Sequence, residues 1–177
     1  MEIRDRILRE TKRLLLELGV VPSLNTVAAA AEVSKGGLMH HFPTRVALLD
    51  GLAMEALTEI DQAMRDAAAA GNAVETWLAV SVPEGEDIAL FRSMAVAHRA
   101  LGEHGLTVMD AAIEATKRWE GYLAAELSDP ALAHVIRLVG DGLMLNAATG
   151  LEVPTRADTE SLTASFRRWA AGSTGPA

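Results

Sequence analysis

Hydrophobic residues along this chain recur at the three- and four-residue spacings of amphipathic helices. The first such run has apolar side chains at Ile3, Ile7, Leu8, Leu14, Leu15 and Leu18. Similar or shorter runs predict helices over residues 44–70, 73–82, 88–101, 106–127, 130–148 and 155–171. No segment shows the two-residue alternation of a convincing strand. With two short helices described next, the pattern predicts an all-α fold of about nine helices.

Two short helices are predicted between the first long helix and residue 44. Gly19 and Pro22 end the first helix, and Ser23 is suited to cap a helix that reaches about Ala31. Ser34 is a second capping residue, and it begins a helix over residues 34–41 that Pro43 stops. The chain therefore starts with three helices joined by tight turns.

The helix over 34–41 contains adjacent glycines, Gly36 and Gly37, each of which costs about 0.5–1 kcal/mol in a helix interior. Leu38 and Phe42, four residues apart, are predicted to anchor one face in the core. Lys35, Gly37, His40 and His41 would then face outward. Two interpretations remain open at this point: a surface that a DNA backbone approaches closely, or a helix–turn–helix packing corner without a ligand.

Composition narrows the class of protein. Half of the 177 residues are hydrophobic and none is cysteine, so a packed core without disulfides or thiolate metal sites is expected. The charged N-terminus does not resemble a signal peptide, and no run approaches 18 apolar residues. These features predict a soluble cytoplasmic protein that is not associated with a membrane.

The net charge of −8 is distributed unevenly. Residues 1–50 hold seven Lys/Arg and six Asp/Glu, whereas residues 51–177 hold nine and eighteen. A near-neutral first segment ahead of an acidic remainder is compatible with DNA binding through a small face. It is not the broad basic surface of a nonspecific DNA-binding protein.

Two segments carry a family resemblance, Ser23-Leu24-Asn25-Thr26-Val27-Ala28 and the longer run from Ala31 to Leu49 (AEVSKGGLMHHFPTRVALL). They resemble the DNA-binding signature of the tetracycline-repressor family of bacterial regulators, closely over residues 3–50 and only architecturally beyond. Two positions depart from that signature. Glu32 stands where a glycine usually makes the turn, and the tyrosine common at position 39 or 40 is replaced by Met39 and His40.

The resemblance implies that the helix over 34–41 enters the major groove of DNA and that the start of the preceding helix touches phosphates or flanking bases. It also places Arg45 where the family usually has a lysine that grips phosphate. With Ser34 at the start of the same helix and the outward-facing His41 added, the predicted DNA-contacting residues are Ser23, Asn25, Thr26, Ser34, Lys35, Gly36, Gly37, His40, His41 and Arg45. The expected domains are a helix-turn-helix DNA-binding domain over 1–48, a ligand-binding and dimerisation domain over 49–172, and a tail over 173–177.

A pocket for a small, largely apolar ligand is predicted in the larger domain, because flexible Met and bulky Trp side chains share helix faces with isolated polar groups. The predicted lining is Met94, His98, Leu101, Met109, Ile113, Thr116, Trp119 and Met144. The alternative for each of these residues is ordinary core packing.

The last two helices are predicted to form a four-helix interface between two copies of the chain. Small residues along 130–148 allow close helix approach, and an apolar stripe follows the final helix. The predicted interface residues are Leu138, Gly142, Leu145, Leu162, Phe166 and Trp169. The alternative is that these faces pack only within one chain.

The function expected from the residues and the resemblance is a ligand-responsive transcriptional regulator, most simply a repressor. It would bind a palindromic operator in double-stranded DNA as a homodimer and be released by a small effector. The sequence has no nucleophile elbow, Glu-x-x-His or His-Glu-x-x-His motif, so neither an enzyme nor a cofactor or metal is expected. The alternative is an all-helical small-molecule-binding or scaffolding protein whose DNA-binding head does not function.

Overall fold

The computed structural model describes residues 2–85, 88, 107–152 and 154–173, and these contain helices, turns and loops but no strand. The all-α class predicted from the sequence is therefore confirmed. Most of the helix predicted over 88–101 lies outside the described residues. The eight helices of the described part are α1 Ile3–Leu18, α2 Leu24–Ala30, α3 Lys35–His41, α4 Arg45–Ala70, α5 Ala73–Val80, α6 Val108–Leu127, α7 Pro130–Thr149 and α8 Arg156–Ser173.

Local signals set several helix ends. The side chains of Ser23 and Ser34 accept backbone N–H bonds at the starts of α2 and α3. Asp129 caps α7 ahead of a proline at the first turn, where the missing N–H is not needed. Gly19 ends α1 at φ +64°, a left-handed conformation that glycine adopts without a steric penalty.

The described residues form two compact units. Unit 1 contains those of residues 1–57 and 84–109, and unit 2 contains those of 58–83 and 110–177. Helices α1, α2, α3 and the start of α4 meet in unit 1 around a single apolar cluster. The buried members of that cluster are Ile7, Leu8, Leu14, Leu15, Val27, Ala28, Ala31, Leu38, Phe42, Leu48, Leu49 and Leu52.

Trp77 of the short helix α5 occupies the middle of unit 2. Its indole N–H donates to the carbonyl of Ile136 on α7 at 3.1 Å, and its ring packs 5.5 Å from that of Trp119 on α6. Gly140, one turn further along α7, lies directly against it, because a Cβ there would be 2.2 Å from the indole nitrogen. A glycine at 140 is thus required for α5 and α7 to pack this closely.

Helix α7 is the one helix of the described residues that is long and apolar enough to cross a membrane, with a mean hydropathy of 1.2. Arg137 and Asp141 lie near its middle and bind each other, and Arg137 also binds Glu120 of α6. Charged groups are costly at the centre of a bilayer. The ion pairs therefore favour a helix that packs against other helices over one that spans lipid.

Replacing Gly140 by alanine should lower the free energy of unfolding by about 2 kcal/mol, because an extra methyl group in a tightly packed site typically costs about 1–3 kcal/mol. Gly121→Ala on α6 is the matched control, since no atom lies within 4 Å of the position its Cβ would occupy. That control should gain up to about 1 kcal/mol of helix propensity. Urea unfolding of both variants measures the difference, and equal midpoints would contradict the assigned Trp77 contact.

Candidate functional site

Helix α3 lies on the surface of unit 1 with one apolar edge beneath it. Leu38 is fully buried and Phe42 is 3% exposed, as their spacing predicted. Of the ten residues predicted to contact DNA, all are exposed except Gly37, which is half-buried. The structure thus brings the polar residues of α3, the start of α2 and the start of α4 to the surface of one unit.

The side-chain hydroxyls at the starts of α2 and α3 can donate one further hydrogen bond at each start. Ser23 Oγ accepts from the Thr26 backbone N–H at 3.1 Å and shares a second hydrogen bond with Thr26 Oγ1 at 2.7 Å. One hydroxyl proton is used between the pair, so the other is free to donate outward. Ser34 Oγ accepts from Gly37 N at 3.0 Å, and its own O–H is likewise free to donate. Each helix start can therefore give one hydroxyl bond to an anionic oxygen.

The two glycines of α3 have different surroundings. A Cβ on Gly37 would lie 3.2 Å from Ser34 Oγ, so the helix cap itself favours glycine there. A Cβ on Gly36 would meet no atom within 4 Å. Nothing in the described part of this chain explains glycine at position 36, although it weakens the helix.

The basic residues of this surface are not equivalent. Arg45 donates from its guanidinium to the Val21 carbonyl at 2.6 Å, so it also holds the turn before α2. Lys35 is exposed and forms no ion pair with any described residue. Arg4, which the sequence analysis did not include, lies with its guanidinium 5.6 Å from the centre of the Phe42 ring. A third cation thus stands beside the residue that anchors α3.

The turn between α2 and α3 contains the departure noted in the sequence. Glu32 has φ +52°, a left-handed conformation that costs a residue with a side chain about 1–2 kcal/mol. This conformation explains why glycine suits the position. Its carboxylate is exposed two residues before Ser34.

His40 and His41 lie edge to face, with ring centroids 5.4 Å apart. The described residues contain no group of three or more His, Cys, Asp or Glu side chains arranged to hold a metal ion. The pair is therefore treated as part of the polar surface of α3.

The residues predicted to line a ligand pocket fall into three groups. Met94, His98 and Leu101 lie outside the described residues. Of the others, Met109 and Ile113 are about half exposed, at 48% and 52%, and Thr116 and Met144 are half-buried. Trp119 is buried and makes a defined hydrogen bond, described next. The pocket remains a prediction.

A buried carboxylate that the sequence analysis missed lies beside Trp119. The Trp119 indole N–H donates to Asp61 Oδ1 at 2.9 Å, and Arg118 and Arg65 both bind Oδ2. The signal in the sequence is an aspartate four residues after Leu57 and three before Met64, on the apolar face of α4. Burial acts to raise the pKa of Asp61, but the three hydrogen bonds outweigh it and the pKa lies below the ordinary range.

A shallow cleft of about 290 Å³ lies between α5 and α8 in unit 2. Its lining is polar as well as apolar and includes Glu75, Glu160 and Arg167, none of which the sequence analysis selected. The Arg167 guanidinium lies 3.6 Å from Glu126 and 4.0 Å from Glu75. Two carboxylates of unit 2 therefore already pair with its positive charge.

The predicted interface residues divide between surface and core. On α7, Leu138 and Leu145 are 50% and 63% exposed, and Gly142 is also exposed. On α8, Trp169 is 58% exposed, whereas Leu162 is half-buried and Phe166 is buried within the chain. Phe166 packs edge to face on Trp169 at 5.4 Å, so it supports the exposed ring from below.

Substituting Asp61 by asparagine should lower the free energy of unfolding by about 1–2 kcal/mol at pH 7. Because the pKa of folded Asp61 is lowered, its stabilisation is complete above the unfolded pKa of about 3.9 and is lost as the pH falls through the folded value. The difference between the two proteins should therefore shrink below about pH 4. Denaturant unfolding between pH 3 and 8 tests this, with Asp66→Asn as the exposed control on the same helix; a difference independent of pH would refute it.

Comparison with known proteins agrees with the fold and extends the resemblance. Residues 71–171, more than half of the chain, match the family described as tetracyclin repressor-like, C-terminal domain. Among solved structures, the chain is similar to the multidrug binding protein EbrR complexed with imidazole. The identity is 21% and the TM-score 0.57, over 94% of this chain and 95% of that one. A likeness at this identity shows the fold, and a search of curated proteins found no match. The family match covers the region where the sequence resembled the family only in architecture, and the chain belongs to the tetracyclin repressor-like family.

Proposed function

We propose that this protein is a cytoplasmic, non-catalytic transcriptional regulator that binds a palindromic operator in double-stranded DNA as a homodimer. In the simplest form it is a repressor that a small, largely apolar effector releases. The observation that carries the proposal is helix α3, whose polar face is exposed above a buried apolar edge. Its Gly36 leaves open a surface that a Cβ would otherwise occupy.

The side chains around α3 support different kinds of DNA contact. The hydroxyls of Ser34 and of the Ser23–Thr26 pair suit phosphate oxygens, and Lys35 adds a charge with no partner in the described chain. Asn25 and His40 are exposed polar groups able to bond to base edges in the major groove. At Gly36 a sugar–phosphate backbone would come nearer to the helix axis than beside any other residue type.

A dimer is proposed because one short helix reads too few bases, whereas two copies read both halves of a palindrome about 34–36 Å apart. The exposed residues Val135, Leu138, Gly142 and Leu145 on α7 follow the alternating three- and four-residue spacing of a helix–helix seam. Trp169 on the neighbouring α8 adds a large exposed ring. A second copy of the chain is the partner that buries these residues symmetrically.

The effector is proposed to bind in the ligand-binding domain expected over residues 49–172. Family membership supports this role, since the matching region over 71–171 contains all eight residues predicted to line the pocket. The similar structure, that of a multidrug binding protein in complex with imidazole, agrees with a small organic effector. To release DNA, the effector must bind one conformation of the dimer more tightly than another that differs in the spacing of its two α3 helices. The difference in binding free energy is typically about 1–3 kcal/mol.

The DNA interface is tested by selecting bound sequences from random duplexes and measuring affinity at several salt concentrations. Because the dimer carries two copies of Lys35, Lys35→Ala should weaken binding and reduce the salt slope by about two. Gly36→Ala should stabilise the isolated protein by about 0.5–1 kcal/mol and yet weaken DNA binding about tenfold, because the added methyl group meets only DNA. A variant that unfolds less readily and yet binds DNA more weakly shows that the added methyl group meets a surface outside the protein.

Gly121→Ala is the control for this pair, since it adds the same methyl group to an open helix position in unit 2. It should leave DNA affinity unchanged. If Gly36→Ala and Lys35→Ala bind duplex as the wild type does, the proposed contacts are wrong. If the wild type selects no duplex at all, the alternative of a helical small-molecule-binding or scaffolding protein with a non-functional head is favoured.

The dimer is tested by placing a charge in the exposed stripe of α7. Leu145→Asp should shift the protein from dimer to monomer in sedimentation at micromolar concentration, because a buried unpaired carboxylate opposes association. Val20→Asp is the control, since Val20 is 64% exposed in unit 1 and lies outside the proposed interface. A wild-type monomer, or a Leu145→Asp protein that stays dimeric, would contradict this interface.

A further inference from the structure

Met39 is the one apolar side chain on the exposed surface of α3. It is 43% exposed, whereas Leu38 and Phe42 on the buried edge of the helix are almost inaccessible. Met39 belongs neither to the buried apolar cluster of unit 1 nor to the partly buried side chains packed against that cluster. Single exposed apolar residues are common on protein surfaces, so the position and the chemistry of Met39 carry the argument that follows.

The position of Met39 is beside the helix surface that Gly36 leaves open. Residues three and four apart lie side by side on a helix, so Gly36, Met39 and His40 form one contiguous patch. A Cβ on Gly36 would meet no atom within 4 Å, so neither neighbouring side chain closes over that position. A duplex that comes close to the helix at Gly36 therefore also meets Met39 and His40.

The chemistry of Met39 restricts the part of a duplex that it can bind. Its thioether sulfur is a weak hydrogen-bond acceptor and has no proton to donate to a phosphate oxygen. Covering a phosphate with such a group would remove water from a charge without replacing the lost hydrogen bonds, which is unfavourable. In the major groove the base pairs present hydrogen-bond donors, acceptors and one apolar group, which is the methyl group of thymine. That methyl group is the chemical match for Met39.

We infer that Met39 is a specificity-determining residue that contacts the methyl group of a thymine in each half of the operator. The inference rests on the proposed function, because it assigns one base contact to the exposed surface of α3. His40 lies next to Met39, is exposed, and is able to bond to the polar edge of a base. The two neighbouring side chains thus read different features of the same groove.

The experiment uses the full chain and the operator selected by the wild type. Each thymine is replaced by deoxyuridine, one symmetric pair at a time, which removes only the methyl group and keeps the pairing with adenine. At one symmetric pair the wild type should bind about fourfold more weakly per half-site, or about 15-fold over both, as expected for one buried methyl group. Met39→Ala should bind the unmodified operator more weakly than the wild type. At that same pair its affinities for thymine and deoxyuridine should agree within about twofold, because the contact is already lost.

Three further variants separate a methyl contact from a general loss of affinity. Met39→Leu keeps an apolar side chain of similar volume and should retain most of the preference for thymine. Met39→Gln keeps the length of the side chain but ends in an amide, so it should lose that preference. Leu18→Ala is the control, since Leu18 is 52% exposed at the end of α1 and lies outside the residues assigned to DNA. It should respond to every deoxyuridine as the wild type does.

The titrations of duplex with each protein distinguish the inference from the proposed function. A loss of methyl dependence in Met39→Ala at one symmetric pair, with the other pairs unchanged, supports the inference. A wild type that binds every deoxyuridine duplex as tightly as the operator overturns it, and so does a Met39→Ala protein that keeps the wild-type dependence at every pair. In both cases the proposed function stands. Failure of the wild type to select any duplex overturns the proposed function, and this inference with it.

Discussion

Helix α3 has seven residues, two of them glycine, and it is held in place mainly by the burial of Leu38 and Phe42 in the cluster beneath it. An isolated helix of this length does not persist in water. The conformation of α3 therefore depends on packing against α1, α2 and the start of α4, whose apolar side chains form the rest of that cluster. Because the buried edge holds α3 in place, the exposed side chains on its outer face are not needed for the fold. They can therefore differ according to the surface that they contact.

Unit 2 depends in the same way on a single bulky residue placed against a small one. Trp77 fills the space that Gly140 leaves, and its ring packs on Trp119, which in turn binds the buried Asp61. The indole N–H groups of both tryptophans are satisfied, one by a backbone carbonyl and one by a carboxylate. Polar atoms inside this unit thus fix how α4, α5, α6 and α7 pack, where apolar contacts alone would tolerate sliding.

The sequence predicted features that depend on nearby residues. The caps at Ser23 and Ser34, the end of α1 at Gly19 and the buried edge of α3 follow from spacing and residue type. Partners distant in sequence were not predictable, because periodicity places a side chain on a face without saying what faces it. Asp61 is the clearest case, and Gly140 and Gly142 look alike in the sequence although a Cβ at 140 would meet Trp77 and a Cβ at 142 would meet nothing.

The placement of the aromatic residues determines what optical measurements report. The three tryptophans and the single tyrosine of this chain, Trp77, Trp119, Trp169 and Tyr122, all belong to unit 2. Intrinsic fluorescence therefore follows the melting of that unit and is blind to local opening of the segment that carries α1, α2 and α3. A head that frays early would leave the emission spectrum unchanged, so far-ultraviolet circular dichroism or hydrogen exchange is needed to observe it.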